Sequence, residues 1–209
     1  MEIENTLLCT MYEDMVLGRA FELCAEALAH QGLVAGSIHL GIGEEAAQVG
    51  ACRALAPEDY LLPSHRTHVG DLVKGTDPRY LLAEIIGRRT GLCGGRAGSS
   101  HFADKSTHNL GVQGIIGAVF PVATGAALTQ QRLKSGGIVL AMFGEGASHQ
   151  GTFHESLNLS ALWKLRWSGS VSTISMPWAQ PLAAPPPPRM SPTGRVPTTC
   201  REWWWMETT

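Results

Sequence analysis

Apolar residues recur at roughly helical spacing over residues 6–30, where Met11, Met15, Val16, Leu17, Phe21 and Leu28 supply the stripe and Gly32 closes the segment. Those positions are expected to be core. A second helix is expected over residues 44–55, with Glu44 and Glu45 favourably placed in its first turn. Tyr60-Leu61-Leu62 follows a Pro-Glu-Asp turn and reads as a short strand. Asp77 is a good N-cap ahead of Pro78 at the first helical position, which opens a helix running to Ile86 and stopping before Gly87. Residues 87–117 are too rich in glycine for a helix or a central strand, and a long irregular stretch of this kind is usually functional. Small residues over 121–133 predict a helix that packs closely on a sheet. Residues 138–143, IVLAMF, are the clear buried strand, and helical spacing resumes over 151–165 with Phe153, Leu157, Ala161 and Leu165.

Composition changes this picture at one place. The whole chain has 209 residues, a net charge of -2 and a hydrophobic fraction of 44%, as in an ordinary globular domain. Nothing in that charge favours nucleic acid or an anionic membrane as a partner. No apolar run is long enough to cross a bilayer, and the acid-bearing start does not resemble a secretory signal. Five cysteines lack metal-ligand spacing and read as free thiols, which points to a reducing, cytoplasmic setting. Residues 167–209, however, hold five of the six tryptophans and eight of the twelve prolines, and SPTGRVPTT, 191–199, has no apolar period of 2 or 3.6. The chain therefore divides into an α/β part, 1–165, and an aberrant Pro/Trp-rich tail, 166–209, expected to be disordered. A low-complexity recognition tail and a shifted reading frame both account for such a segment.

The candidate chemistry lies where the 138–143 strand ends. Gly144-Glu145-Gly146 follows it directly, and Ala147-Ser148-His149-Gln150 leads into a helix. In a parallel sheet this is the carboxyl edge, where ligands bind. Glycines admit a tight turn and a close ligand, and a carboxylate between them suits a hard cation carrying a phosphorylated ligand. Spacing alone equally allows Glu145 as a solvent-facing cap. Of the histidines, His39, His68, His108 and His149 read equally well as surface or supporting residues. His154-Glu155 lacks the second histidine of a zinc helix.

The run FGEGASHQGTFHESLNLSALWKL, 143–165, resembles the thiamine diphosphate motif of the alpha subunits of two-component 2-oxo acid dehydrogenases, the pyruvate, branched-chain and acetoin E1 alpha chains. AGSIHLGIGEEA, SHRTH, GLCGGRAGSSHFAD and GIIGAVFPVATGAAL continue the likeness in order along the chain. The resemblance implies a doubly wound parallel α/β fold of the thiamine diphosphate-binding type, incomplete after residue 165. It implies thiamine diphosphate and Mg2+ as cofactors, an E1 beta subunit in an alpha2beta2 heterotetramer, and a lipoyl-bearing E2 component that accepts the fragment. Residue by residue, it places the magnesium ligand on Glu145, flanked by Gly144, Gly146 and Ala147, where the family usually has aspartate. Glutamate adds one methylene, roughly 1.5 Å of reach. The diphosphate contact falls on Arg66 beside His65, an active-site histidine on His101, and the backbone that holds the aminopyrimidine on Gly114 and Ile116.

Past Leu165 the family continues with a buried strand and a pair of asparagines that complete the metal shell. Thr173 and Ile174 stand at that register here. The 138–143 strand is thus expected to face an unfilled neighbour, and cofactor binding is expected to be weak or absent. The beta subunit supplies the glutamate that activates the cofactor. Two readings follow: an E1 alpha subunit that decarboxylates a 2-oxo acid or cleaves acetoin, or a catalytically inactive fragment that acts at most by association.

Overall fold

The computed structural model describes residues 4–34 and 36–172. Three parallel strands form one sheet in the order β1-β2-β3: β1 (Tyr60–Leu62), β2 (Val139–Gly144) and β3 (Trp167–Ser172). Parallel neighbours need long crossovers. The first carries α3 (His68–Lys74), α4 (Pro78–Ile85) and α5 (Val119–Leu133), and the second carries α6 (Gly151–Trp163). Ahead of the sheet come α1 (Asn5–His30) and α2 (Glu45–Arg53).

The pleat of β2 divides the core. Val139, Ala141 and Phe143 point one way, into a cluster with Val119, Phe120, Ala123 and Ala127 of α5. Leu140 and Met142 point the other way, against Leu61 and Cys52 of α2. Such two-sided burial is why β2 reads as an unbroken apolar run rather than an alternating one. A third cluster joins Phe21 and Ala25 of α1 to Leu81 and Ile85 of α4 and to Phe102. Local signals behave as expected at α4, where the Asp77 side chain accepts from the Arg79 amide at 2.8 Å and Pro78 occupies the first turn.

Three expectations are corrected. β2 does not face an open neighbour: Trp167–Ser172 pairs with it in parallel register, from Val139 opposite Trp167 to Gly144 opposite Ser172. Trp167 anchors this polar strand, its indole tilted against Phe120 with ring centroids 6.5 Å apart and donating to Ser160 Oγ at 2.5 Å. The α1 stripe is only partly core. Phe21 is buried, Met11, Met15 and Leu28 are half-buried, and Val16 and Leu17 are about half exposed. α1 packs instead through Gly18, where an added Cβ would lie 2.6 Å from Val69 Cγ1, so the helices meet almost at the backbone. In α6 the buried positions are Ser156 and Ser160, while Ala161 is exposed. Phe153 and Leu165 do pack on the core. The rest of the tail expectation, 173–209, lies outside the described residues.

Candidate functional site

A cavity of about 940 Å³ opens at the carboxyl edge of the sheet, a volume in the range of small-molecule sites. All nine residues singled out in the sequence line it: His65, Arg66, His101, Gly114, Ile116, Gly144, Glu145, Gly146 and Ala147. They come from four separate segments, and each is delivered by a local device.

Arg66 follows β1 on a turn held by Thr67, whose hydroxyl donates to the Ser64 carbonyl at 2.7 Å. Its own carbonyl accepts from the Gln48 amide at 2.7 Å, while Gln48 Oε1 accepts from the Gly70 amide at 2.9 Å. One guanidinium N–H donates to the Leu40 carbonyl at 3.0 Å, which aims the fork and leaves further N–H donors for an anion. His65 stands edge-on to His39 with ring centroids 5.0 Å apart. Burial pushes both imidazoles below the usual histidine value, reinforced at His65 by His39 and Arg66 and at His39 by Arg66, His68 and His101. Both rings are therefore neutral at pH 7.

β2 ends at Gly144, and residues Glu145–His149 form a 3₁₀ turn leading into α6. Ala147 is buried and pins the turn, whereas Glu145 and Gly146 are exposed to the cavity. The Ser148 hydroxyl donates to the Glu145 carbonyl at 2.6 Å, and no described residue pairs with the Glu145 carboxylate. Gly144 holds the N-cap position of this turn, and Glu145 stands in its first turn.

His101 comes from the glycine-rich segment and packs on Gly114, where a Cβ would lie 2.8 Å from His101 Cε1. Any larger residue at Gly114 would have to displace the His101 ring. Beyond it Ile115 and Ile116 are 77% and 66% exposed, two large apolar side chains left open on the cavity wall.

Sequence reasoning missed part of the wall. His39 lines the cavity and its Nδ1 lies 3.1 Å from Ser100 Oγ, and Gln113 and Gln150 join it. His68 is a buried residue beneath the site: its Nδ1 faces the Glu22 carboxylate at 3.1 Å and its Nε2 lies 2.9 Å from Ser99 Oγ. His108 is half-buried and His149 exposed, and both lie outside the cavity. A signal for His39 was available in its place beside a glycine tract ahead of a helix. Glu22 gave none, because a carboxylate in the middle of an amphipathic helix looks solvated until its partner is known.

The donor set fits a diphosphate. Arg66 and the open backbone at Gly144–Ala147 offer N–H groups, and the apolar wall offers a surface for aromatic rings. The exposed Glu145 carboxylate facing the same space favours a bridging cation. Among the described residues no cluster of three or more His, Cys, Asp or Glu is set to hold a metal ion, so phosphate oxygens and water must complete any coordination around Glu145. No helix among the described residues is long and apolar enough to cross a membrane.

Comparison with known proteins gives a consistent result. A family model described as the dehydrogenase E1 component matches residues 12–172. The alpha subunit of acetoin:2,6-dichlorophenolindophenol oxidoreductase from Bacillus subtilis (strain 168) is 44% identical over 155 residues, covering 74% of this chain and 46% of the relative. Its Cupriavidus necator counterpart is 40% identical over 163 residues, covering 78% and 49%. The pyruvate dehydrogenase E1 component subunit alpha of Rhizobium meliloti (strain 1021) is 41% identical over 154 residues, covering 74% and 44%. The chain spans about half the length of the curated relatives it matches. The match also passes Leu165, where the motif likeness read from the sequence ended.

Proposed function

Since the chain belongs to the dehydrogenase E1 component family, we propose that it carries the cofactor-anchoring wall of a thiamine diphosphate and Mg2+ site and is catalytically inactive by itself, acting at most by association. One observation carries this reading. The cavity gathers Arg66, His65, His101 and Glu145, yet the only carboxylates among its described lining residues are Glu44 and Glu145. Glu44 accepts from Gln48 Nε2 at 3.5 Å, and Glu145 sits at the sheet edge among the anchoring groups. The ring end of the site lacks the acid that the resemblance assigns to a beta subunit.

Thiamine diphosphate, when bound, would supply the carbanion chemistry. The residues of this chain do the rest of the local work. Arg66 binds diphosphate oxygens through its fork, Glu145 holds the cation, and the backbone at Gly114 and Ile116 orients the aminopyrimidine. His101 exchanges a proton with the substrate oxygen. Ile115 and Ile116, exposed on the wall, support a partner that covers them and excludes water, and we assign that place to an E1 beta subunit in a heterotetramer. The free cysteines Cys9, Cys24, Cys52 and Cys93 support a cytoplasmic setting.

The second reading is an active alpha subunit working on a 2-oxo acid or acetoin and passing the fragment to a lipoyl group; the likeness to acetoin oxidoreductase and pyruvate dehydrogenase alpha subunits favours its substrates. Dye reduction separates the two. With pyruvate or acetoin, thiamine diphosphate, Mg2+ and 2,6-dichlorophenolindophenol, the chain alone is expected to give no turnover, and to give none when a beta subunit supplies its acid, because Thr173 and Ile174 stand where the resemblance places the asparagine pair that completes the metal shell. Turnover restored by the beta subunit establishes the second reading. Turnover by the chain alone refutes the whole assignment of roles.

A further inference from the structure

The glycine-rich loop that presents His101 is wound around one buried carboxylate. Glu84, in the last turn of α4, is fully buried. Its Oε2 accepts from the backbone amides of Cys93 at 2.7 Å and Gly95 at 2.8 Å. Its Oε1 accepts from those of Ala97 at 2.7 Å and Gly98 at 3.3 Å. Four donors from one loop thus converge on a single side chain. The glycines make the winding possible: a Cβ at Gly91 would lie 2.4 Å from Glu84 Oε2, and one at Gly95, where φ is +75°, 2.5 Å from the Gly87 carbonyl carbon. Burial alone pushes the Glu84 carboxyl up, and the four amide bonds outweigh it, so the group stays below the usual glutamate range and ionised at neutral pH. Directly after this winding the chain lines the cavity with Ser99, Ser100 and His101.

We propose that Glu84 is a positioning residue for the cofactor cavity: its carboxylate replaces the ligand an open loop of backbone amides would otherwise seek, and fixes residues 93–98 so that Ser100 and His101 stand at the wall. The functional half of this inference rests on the reading of the cavity as a thiamine diphosphate site, whereas the loop-fixing half does not. No hydrogen bond of Glu84 reaches a cavity-facing side chain, so it acts through the backbone.

Amide hydrogen exchange by NMR on the full chain tests it, with Glu84→Gln and Glu84→Asp. Glutamine turns one acceptor oxygen into a donor that faces two N–H groups. Exchange at two or more of the Cys93, Gly95, Ala97 and Gly98 amides is expected to rise about tenfold or more, as loss of charge-assisted bonds implies. Amides in β2 and α5 are expected to keep their rates, and the His101 ring resonances to move. Glu84→Asp keeps the charge with one methylene less and is expected to fall between, with the loop partly rescued. Unchanged loop exchange in the glutamine variant, or equal acceleration across the domain, overturns the proposal. Titration with thiamine diphosphate and Mg2+ supplies the second readout: a His101 response in the wild type that weakens in Glu84→Gln supports the functional half. A wild-type chain whose His101 resonances ignore both additions refutes the cofactor reading, and the exchange rates then decide the loop claim independently.

Discussion

Asp71 in α3 is a buried acid with half of its carboxyl unsatisfied, and its replacement by asparagine yields a signed prediction. Oδ1 accepts from Asn109 Nδ2 at 2.6 Å, while Oδ2 is buried without a hydrogen-bond partner among the described residues. Burial pushes the carboxyl well above its ordinary value, the charge of Asp104 adds to this, and the Asn109 bond opposes it. Because Oδ1 already accepts from Asn109, Oδ2 is the oxygen placed to carry a proton. In the unfolded chain the group titrates near 3.8, so above that pH the folded protein holds a proton that the unfolded chain has released. Stability from this group is complete below the unfolded value and is lost as pH rises toward the folded one, at up to about 1.4 kcal/mol per pH unit. Asparagine keeps the Oδ1 acceptor and puts a neutral NH2 where the protonated Oδ2 stood. Urea unfolding of both proteins from pH 5 to 8 measures the difference, and comparison at each pH cancels groups of opposite sign such as Asp104, which is held below its ordinary value. Below 3.8 both side chains are neutral in either state, and by pH 5 the variant is expected to lead by about 1.7 kcal/mol relative to that baseline, the slope above acting over the interval. With rising pH the variant gains on the wild type at the slope above, levelling once Asp71 ionises in the folded state. A constant difference across the range refutes the argument, because it means that the buried carboxyl does not carry the proton.

Phe120 is fully buried between Phe143 at 4.7 Å and Phe153 at 5.0 Å, so Phe120→Ala is expected to cost about 3–5 kcal/mol, read from the urea midpoint. A loss under 1 kcal/mol would mean the α5–β2 packing is not as described. Gly114→Ala pushes a methyl into His101, which is exposed and free to swing aside. Stability is expected to stay within about 1 kcal/mol while the His101 ring resonances shift, and unmoved resonances contradict the close approach. Arg66→Lys keeps the charge and loses the fork, and calorimetry with thiamine diphosphate and Mg2+ is expected to show affinity lowered about tenfold or more relative to the wild type. Equal affinities would remove Arg66 from the diphosphate contact.

The sequence by itself determined the elements whose causes are local. Asp77 and Pro78 start α4 because a cap and a fixed φ act within one turn, and Gly144-Glu145-Gly146 ends β2 because an apolar run meets a segment that cannot extend it. The long ordered motifs likewise gave the family, and with it the candidate residues that line one cavity. Tertiary structure alone decided the polar groups inside. Glu22, Gln48, Asp71 and Glu84 are buried on helices, where their spacing looks like that of solvated residues, and each is fixed by a partner distant in the chain. It also decided which side of α1 is covered: Gly18 permits close contact with Val69, and the larger side chains at Val16 and Leu17 remain outside. Residues 167–172 show the same division. Trp167 and Val171 alternate with Ser168, Ser170 and Ser172, a pattern too polar to mark a buried strand, and the segment becomes β3 because β2 offers an edge of unpaired backbone groups and Phe120 and Ser160 receive Trp167. Local preference is written in neighbours along the chain, whereas burial and pairing depend on partners that only the fold brings together.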